Sequence, residues 1–561
     1  MSNSDVPKQD LSARKTFNQT DSIKRLLGLP SEPEHLAGIK RFDSMAIQYT
    51  DNVACWQRSE SGEIIPQVNW GGQSISAKKA NMHFLVAGVP GTGKTIAFRA
   101  LIQSIFDPRI RSQLGGSDRA IIYDPKQEFI PILDGIGVPS EEVAIVNPFD
   151  RRTMCWNIST DYNDSASATQ LAKSLIPPGE NLSQPFFAKA SAAILAAVVC
   201  EHIRSNPGGW DLADIIFDCL SEERLLLRLQ TAPQGPYNMA ALTSMARGDT
   251  RASVMAELTT ALSDYLPIAS RWRKAKEHGR ILSIKRFLDL DSGVLLLGAN
   301  RQFSESLGVI NRLFLRRFSE LSLDNTDTHL WNSENRTWLF LDELKELGKV
   351  HDLATLISKG RGKGICAVLG FQDISGLEEA FGEKNAQEIT ACCLHKLFLK
   401  LSGLSAEWAS KSIGQTEVLD TSVSIRTGSS ISSGFNSSET CTKGFTTVTF
   451  GIFGKPLGTP LGTSNTSRAN QSGTSFTTTL SSDVTVSKQS KVKDAVLASE
   501  ISGLPDFSRG GGITGFSCDY CDVSKTSVVK KIHVKNDEFA FLRTSSSIQG
   551  FVPWKPNELD W

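Results

Sequence analysis

The sequence lacks the features that mark secreted and membrane-spanning proteins. Its ten cysteines show no even spacing of a disulfide framework, and no N-terminal signal peptide precedes them. The longest dense apolar run, Ala188 to Cys200, is interrupted by a lysine and a serine and is far shorter than the roughly 20 residues that cross a bilayer. These absences predict a cytoplasmic protein with no transmembrane segment of its own.

The sequence also lacks a net charge and the paired cysteine spacing of a zinc site. Lys plus Arg and Asp plus Glu each number 60, so any contact with nucleic acid must come from local clusters of basic residues. The one C-x-x-C, Cys518 to Cys521, has no second pair at zinc spacing, which favours structural or incidental cysteines. The length of 561 residues and the 40% hydrophobic content indicate a globular protein of two to four domains.

A glycine-rich stretch, HFLVAGVPGTGKTIAF from His83 to Phe98, carries the first chemical signal. It fits G-x-x-x-x-G-K-[ST] behind a buried strand, Phe84 to Ala87, which predicts a phosphate-binding loop. Backbone N–H groups would surround the phosphates, the lysine would meet the β- and γ-phosphates, and the threonine hydroxyl would face Mg²⁺. A ligand-free turn is the alternative, but it needs no Lys-Thr pair. The predicted nucleotide-binding residues are Gly88, Val89, Pro90, Gly91, Thr92, Gly93, Lys94, Thr95 and Ile96.

Two carboxylates follow a second apolar strand within TWLFLDEL, Thr337 to Leu344. In a phosphate-loop ATPase, Asp342 would hold Mg²⁺ through water and Glu343 would polarise the attacking water. The alternative is a pair of helix-capping carboxylates. The phosphate loop upstream favours the catalytic interpretation.

Polar residues also flank the next strand, Ile365 to Gly370. Gln372 follows it and is predicted to sense the γ-phosphate. Arg361 precedes it on a glycine-flanked loop and is predicted to act as an arginine finger on a neighbouring subunit. For Arg361 and Lys363 the alternative is a solvated basic loop.

The remaining pattern predicts an α/β fold. Short apolar strands alternate with amphipathic helices, and Asp124 lies at one more strand end, where α/β proteins place their chemistry. From 162 to 280 the periodicity is helical, which predicts an all-helical insertion. Its last helix carries basic residues around Trp272; nucleic-acid binding and a solvated helix end are both open, with the second favoured. These basic residues are Arg271, Arg273, Lys274 and Lys276.

The composition divides the chain further. Residues 1–37 are polar and predict a flexible arm with a short helix near Ser22 to Leu27. A Ser/Thr/Gly-rich insertion, 420–490, predicts a flexible or β-rich loop around an apolar piece at Thr446 to Phe453. The predicted domains are the arm, a nucleotide-binding core of 38–161 and 281–419, the helical insertion of 162–280, the loop of 420–490, and a return to the core with a tail at 491–561.

Taken together, seven segments resemble the type IV secretion coupling proteins, the conjugative TraD/TraG/TrwB group of DNA-pumping ATPases related to FtsK and HerA. The resemblance runs from roughly 60 to 520, and the shared order of segments is more specific than either nucleotide motif alone. The segments are GVPGTGKT behind His83, YDPKQEF at 123–129, NPFDRRTMCWN at 147–157, WLFLDEL at 338–344, SKGRGKGICAVLGFQD at 358–373, EWASKSIGQTE at 407–417 and LASEISGLPD at 497–506.

The resemblance implies a RecA-like P-loop core, a mostly parallel sheet with helices on both faces, carrying the all-helical insertion. It further implies ATP and Mg²⁺ as cofactors and a homo-hexameric ring around DNA. Lys94, Asp342, Glu343, Arg361 and Gln372 match the family's residues for ATP binding, hydrolysis, the finger in trans and coupling.

The chain departs from the family in two places. Family members usually begin with transmembrane helices, and none is evident here. The family's glycine after Asp-x-Lys is Gln127, which leaves the role of Asp124 open.

The predicted function is an ATP-dependent DNA translocase, the coupling protein of a conjugative or mobilisation type IV secretion system that brings relaxase-bound DNA to the transfer channel. DNA would be held without sequence preference. Relaxase or other transfer proteins are the expected partners, with peripheral contact at the cytoplasmic face of the inner membrane. Two alternatives stay open: a soluble HerA/FtsK-like translocase in DNA repair or phage defence, and a nucleotide-switched substrate receptor.

Overall fold

The structure is a computed structural model, and the chain divides into two compact units, Met1–Lys40 with Gly414–Ala495 and Arg41–Ile413 with Val496–Trp561. The residues that the structure describes are 34–46, 56–58, 64–108, 117–177, 185–231, 241, 248–324, 335–350, 352–435, 445–446, 461–462, 466–469, 474–519, 528–536, 542–555 and 558. The predicted short helix near Ser22 lies outside them.

The strands of the described residues are numbered in chain order. They are β1 Glu34–Gly38, β2 Lys40–Ala46, β3 Trp56–Arg58, β4 Ile64–Trp70, β5 Gln73–Ser76, β6 Phe84–Ala87, β7 Ser117–Asp124, β8 Val143–Ile145, β9 Cys155–Trp156, β10 Ile281–Leu282, β11 Gly293–Gly298, β12 Asn335–Leu341, β13 Ile365–Phe371, β14 His395–Phe398, β15 Gln415–Phe435, β16 Phe445–Thr446, β17 Leu461–Gly462, β18 Thr466–Ala469, β19 Thr474–Asp494, β20 Gly512–Asp519 and β21 Val528–Lys535.

The α-helices are numbered in the same way. They are α1 Lys94–Phe106, α2 Phe129–Ile136, α3 Ile158–Asp161, α4 Ser165–Leu175, α5 Pro185–Ser205, α6 Leu212–Leu220, α7 Glu222–Thr231, α8 Gly248–Ser263, α9 Leu266–Glu277, α10 Ile284–Asp289, α11 Ser304–Asp324, α12 Leu344–Leu347, α13 Leu353–Gly360, α14 Ile374–Phe381, α15 Glu383–Cys392, α16 Gly403–Ile413, α17 Ala498–Ser502 and α18 Phe507–Gly510. Short 3₁₀ helices cover Ala77–Met82, Ser140–Glu142 and Arg361–Lys363.

A ten-stranded sheet forms the centre of the larger unit, in the order β2-β21-β20-β14-β6-β13-β12-β7-β11-β8. The seven strands from β14 to β8 are mutually parallel, and β20 and β21 are antiparallel additions at one side. β11 and β13 are apolar and buried along their whole length, as strands with both faces covered must be. The carboxyl ends of β6, β13, β12 and β7 therefore lie side by side at one edge.

Aromatic residues fill one face of this sheet. Phe84 stacks on His395 and lies against Trp70, with ring centroids 4.6 and 5.2 Å apart. Trp338 and Phe340 continue the layer along β12, and α1 and α2 close it. Burying such side chains contributes about 1.5–3 kcal/mol each, which fixes the strand ends that carry the polar groups.

The helices α4 to α9 follow one another between a matched pair of short strands. β9 and β10 pair in parallel as a two-stranded sheet of their own, so the chain enters and leaves the helical region at the same place. Trp156 of β9 is fully buried against Tyr162, Trp272 and Phe314. The predicted limits of the helical insertion, 162 and 280, stay a prediction and lie beside these strands.

One helix, α5, is more apolar than its sequence pattern suggested. The stretch Phe186–Ser205 is long and apolar enough to cross a membrane by length and composition, with a mean hydropathy of 1.6. Of its most apolar window, 61% is buried inside the fold. A core helix of a helical domain has the same properties, so this one helix is weak evidence for a membrane span.

The smaller unit is built on a long antiparallel ribbon. β15 and β19 pair residue for residue from Gln415↔Asp494 to Phe435↔Thr474, and β1 adds to the free edge of β15. The flanks of the predicted Ser/Thr/Gly-rich loop are thus β-structure. Of the apolar piece predicted at Thr446 to Phe453, only Thr446 is among the described residues.

The C-terminal segment 542–558, which had no interpretable pattern, crosses several parts of the larger unit. Arg99 on α1 donates to Thr544, and the N–H of Ser545 donates to the carbonyl of Pro131 on α2. Further along, Trp554 donates its indole N–H to the carbonyl of Pro148 at 2.9 Å. The tail therefore ties α1, α2 and the NPFD segment together.

Candidate nucleotide-binding site

The phosphate loop connects β6 to α1 through a tight turn. Gly91 and Gly93 adopt left-handed backbone angles, with φ of 78° and 101°. A Cβ on Gly88 would lie 2.7 Å from the Thr92 hydroxyl and 2.8 Å from the Leu399 Cβ, so a side chain does not fit there. The turn is anchored from outside because the N–H of Val89 donates to the Lys400 carbonyl at 2.9 Å. Backbone N–H groups at the start of α1 are thereby held around one point.

Lys94 lies at the first turn of α1 and is buried. Its Nζ donates to the carbonyl oxygens of Gly88 at 2.6 Å and Val89 at 3.4 Å. Burial lowers the pKa of Lys94, while the carboxylates of Glu343 and Asp342 act in the opposite direction. The ammonium group is thus placed on the loop itself, with its positive charge facing the two acidic residues.

Thr95 and Asp342 meet across the sheet edge. The Thr95 Oγ1 donates to Asp342 Oδ2 at 3.3 Å, and Asp342 is 4% exposed. Burial and the neighbouring Glu343 raise the pKa of Asp342 to about 6. The other oxygen, Oδ1, is buried and has no hydrogen-bond partner in the described part of the chain. A hydroxyl beside a carboxylate oxygen without a donor is a fitting donor set for Mg²⁺ and its waters.

A glycine on the neighbouring strand makes room for this arrangement. A Cβ on Gly370 would lie 2.5 Å from the Asp342 carbonyl and 2.9 Å from its Oδ1. Sequence reasoning missed Gly370, although the glycine interrupts an otherwise apolar strand, which signals a close approach of backbone.

Glu343 and Gln372 form the second pair. The Gln372 Nε2 donates to Glu343 Oε1 at 2.9 Å, and Glu343 is 4% exposed. Gln372 follows β13 and Glu343 follows β12, which are adjacent in the sheet. The structure therefore brings together four of the five predicted catalytic residues and the predicted metal residue Thr95. The four are Lys94, Asp342, Glu343 and Gln372.

Asp124, at the end of β7, has a structural role at the start of α2. Its two carboxylate oxygens accept from the N–H groups of Glu128 at 3.1 Å and Phe129 at 2.9 Å, so it caps α2. Burial raises the pKa of Asp124 to about 6. Gln127, where the resemblance implies a glycine, has a left-handed φ of 59° and donates through Nε2 to the Ala299 carbonyl. The turn geometry that favours glycine is therefore kept with a glutamine.

Two lysines near the site were not singled out from the sequence. Lys126 is exposed, and its charge lowers the pKa of Asp342. Lys400 follows β14, and its Nζ donates to Asp506 Oδ1 at 3.1 Å. The segment after Asp506 also holds the phosphate loop, since the N–H of Phe507 donates to the Gly91 carbonyl at 3.0 Å. Lys126 and Asp506 each lie in a segment that carried the family resemblance. Those segments were the signal in the sequence that could have marked both residues as part of the site.

Arg361 lies at the opposite edge of the sheet. It is exposed and begins a 3₁₀ turn in front of β13, whereas Gln372 comes after that strand. Seven strand residues separate the two edges by roughly 20 Å. Arg361 therefore cannot reach the nucleotide site of its own chain, and any part in hydrolysis requires a second subunit.

His83 lies at the same edge of the sheet as Arg361, directly before β6. Its Nδ1 accepts from the N–H of Ala367 at 3.1 Å, so Nε2 carries the proton and donates to the Ile357 carbonyl at 2.7 Å. Burial lowers the pKa of His83 to about 4, which keeps the ring neutral. The histidine ahead of the phosphate loop thus positions α13, the helix that ends beside Arg361.

The basic residues of α9 are occupied within the chain. Arg273 pairs with Asp211 and Asp214, and Lys276 pairs with Asp211 at 3.0 Å. Trp272 is fully buried, so it presents no ring to a base. Arg271 lies over the Phe149 ring at 4.9 Å, and Lys274 donates to the Glu558 carbonyl. These contacts favour the structural alternative over nucleic-acid binding.

Comparison with known sequences gives a consistent result. A model of the family described as "Type IV secretion-system coupling protein DNA-binding domain" matches residues 67–445. The coupling protein TraD of Escherichia coli (strain K12) is 26% identical over 354 residues, which are 61% of this chain and 45% of TraD. The chain thus spans less than half the length of this curated relative.

Comparison with solved structures concerns the fold. The bacterial conjugative coupling protein TrwBdeltaN70 in its unbound form is 19% identical, with a TM-score of 0.57 over 87% of this chain and 91% of that chain. TrwB in complex with the non-hydrolysable ATP analogue ADPNP is 18% identical, with a TM-score of 0.57 over 87% and 92%. TrwB in complex with ADP and Mg²⁺ is 18% identical, with a TM-score of 0.57 over 87% and 91%.

The predicted fold class, a RecA-like P-loop core with a mostly parallel sheet and an inserted helical domain, is confirmed by this likeness and by the ten-stranded sheet. The family match covers well over half of the sequence. The chain therefore belongs to the type IV secretion-system coupling proteins, through their DNA-binding domain.

Proposed function

We propose that this protein is an ATP-hydrolysing DNA translocase that serves as the coupling protein of a conjugative or mobilisation type IV secretion system. It would bring relaxase-bound DNA to the transfer channel without reading its sequence. One observation carries the proposal: Thr95 and Asp342 meet at 3.3 Å and leave a buried carboxylate oxygen with no donor in the described part of the chain. Family membership supports the conjugative role.

ATP with Mg²⁺ fits the residues at the sheet edge. The backbone N–H groups of 88–96 and the Lys94 ammonium would bind the phosphates, while Thr95 and Asp342 would hold the metal and its waters. Bound Mg²⁺ supplies charge neutralisation of the phosphates. Glu343, buried beside Asp342, would orient the attacking water and accept its proton. Gln372 holds Glu343 in place at 2.9 Å and would register the γ-phosphate.

Arg361 extends the proposal to an assembly. Its place at the edge of the sheet opposite Gln372 fits a finger that acts on the nucleotide of a neighbouring subunit. We therefore propose a homo-hexameric ring, with 162–280 as the helical insertion of each subunit. In such a ring, Arg361 of one subunit would complete the nucleotide site of the next.

The motor is tested by measuring ATP hydrolysis with and without DNA. We expect DNA to stimulate hydrolysis, and Lys94→Ala and Glu343→Gln each to lower the stimulated rate by at least 100-fold, since they remove phosphate binding and water activation. Lys384→Ala, an exposed site remote in sequence from the loop, is the matched control and should keep the rate. A wild-type rate that DNA does not change, or a Lys94→Ala variant as active as wild type, contradicts the motor.

The finger is tested by mixing two inactive variants. Arg361→Ala should lower hydrolysis by about 10³-fold while nucleotide binding stays near wild type. Mixed with Lys94→Ala, it should regain activity, because the intact site of one variant can then receive the arginine of the other. No recovery in mixed assemblies, measured at concentrations where wild type assembles, would sink the role in trans.

The place in transfer is tested in cells. We expect Lys94→Ala to abolish DNA transfer, and the protein to join the membrane fraction only when the other transfer proteins are present. Fractionation with and without those proteins measures this. A protein that stays out of the membrane fraction in both cases argues for a translocase working away from a secretion channel.

A further inference from the structure

A small cavity outside the nucleotide site has four cations among its eight lining residues. Its volume is about 150 Å³, and residues of α4, of α11 and of the loop after α12 surround it. At about 30 Å³ for each water, it has room for about five waters, which suits one phosphate group. We call it the basic cavity; its cationic residues are Lys173, Arg312, Arg316 and Lys349.

The charges of the basic cavity are only partly compensated. Arg312 is half-buried and donates to the Leu347 carbonyl at 3.1 Å, but no carboxylate in the described part of the chain pairs with it. Burial lowers its pKa. A guanidinium withdrawn from water without a counter-ion is costly, so the position favours an anion.

Two further cations face the cavity without an acidic partner among the described residues. Lys173 and Lys349 are exposed, so their ammonium groups are open to a ligand arriving from solvent. Arg316 is different, because its Nε lies 3.1 Å from Glu320 and 4.0 Å from Asp352. Glu320 also pairs with Arg317, which lies outside the cavity lining. Positive charge therefore exceeds negative charge around the cavity.

The basic cavity is connected to the catalytic carboxylates by one short helix. α12 begins directly after Glu343 and ends at Leu347, whose carbonyl accepts from Arg312. Lys349 follows two residues later. An anion bound between Arg312 and Lys349 would therefore pull on the C-terminal end of α12, and α12 begins directly after Glu343.

We propose that the basic cavity binds one phosphate group of the DNA backbone and that this contact acts through α12 on Glu343. The proposal rests on the proposed function, since it names the place where DNA is held. The opening beside two exposed lysines admits a phosphate that belongs to a long strand. A contact to the phosphate alone carries no sequence information, as binding without sequence preference requires.

The test uses the full chain with both exposed lysines neutralised, Lys173→Gln with Lys349→Gln. DNA affinity is measured over a range of salt concentrations. Affinity at low salt should fall about ten-fold, and the slope of log affinity against log salt should become shallower by about one. The stimulation of ATP hydrolysis by DNA should fall with it. Lys173→Arg with Lys349→Arg should restore both quantities.

A matched double variant, Lys384→Gln with Lys411→Gln, removes the same charge from exposed lysines of α15 and α16 and should keep wild-type affinity and slope. If the cavity variant also keeps them, the inference is wrong while the motor stands. If the wild type binds no DNA, the proposed function itself fails. Equilibrium dialysis with inorganic phosphate, with ADP saturating the phosphate loop, gives a further arm: a cavity variant that loses phosphate binding but keeps DNA affinity marks a free-phosphate site and overturns the DNA assignment.

Discussion

Two neighbouring strand ends carry an aspartate each, and they differ in how the carboxylate is satisfied. β7 ends at Asp124 and β12 is followed by Asp342, and the two strands pair in parallel. Both carboxyl groups are buried, and burial raises both pKa values to about 6. Asp124 accepts the N–H groups of Glu128 and Phe129 at the start of α2, whereas Asp342 has one oxygen with no partner among the described residues.

The difference teaches that position at a strand end does not identify a catalytic acid. An aspartate whose oxygens are used by backbone N–H groups is already committed to the fold, and a ligand would have to compete with a helix cap. An aspartate left with a buried, unsatisfied oxygen gains a partner only when something binds. Three predictions separate these roles.

The largest effect is expected from Asp342→Asn. Losing the carboxylate should lower Mg²⁺-dependent ATP hydrolysis by at least 100-fold, because the amide holds a hydrated cation poorly. At pH 7 the nucleotide-free variant should be at least as stable as wild type in thermal unfolding, because burial and the neighbouring Glu343 disfavour the charged carboxylate that the amide replaces. Asp124→Asn is the matched control and should hydrolyse ATP within about three-fold of wild type. Equal losses in the two variants would break the comparison.

A smaller effect is expected in how the free energy of unfolding changes with pH, because Asp124 binds its proton more tightly in the folded state. Its pKa is about 6 in the folded chain against an ordinary 3.8, so the folded state holds the proton more tightly than the unfolded state. Stability must therefore fall as pH rises from about 4 to about 6. Asp124→Asn removes this dependence. Between pH 4 and pH 7 the variant should gain on the order of 1–3 kcal/mol relative to wild type, measured by urea unfolding at each pH.

The smallest effect concerns the cap itself. Asp124→Ala should be less stable than Asp124→Asn by about 1 kcal/mol, because the amide oxygen can still accept from the first turn of α2 and a methyl group cannot. Urea unfolding at pH 7 gives the difference. If the two variants are equally stable, capping is not the role of Asp124.

Much of the core could be predicted because its signals are local. The apolar strands around Phe84 and Trp338 and the glycine pattern before Lys94 each depend on neighbouring residues only. Gly370 and Lys400 were missed because their importance comes from contacts with Asp342 and with the phosphate loop, which are distant in sequence. The C-terminal tail carried no periodicity, yet it crosses α1 and α2 through isolated hydrogen bonds.

By itself, the sequence determined that a glycine-rich turn with Lys-Thr joins β6 to α1 and that two acids follow β12, since strand, glycine turn and Lys-Thr are fixed by adjacent residues. Only the tertiary structure decided that Asp342, and not Asp124, has a carboxylate oxygen without a hydrogen-bond partner among the described residues. It also decided that Arg361 lies at the edge of the sheet opposite the nucleotide site. The physical reason is that hydrogen-bond satisfaction and distance depend on which strands become neighbours, and pairing in a parallel sheet joins residues hundreds of positions apart.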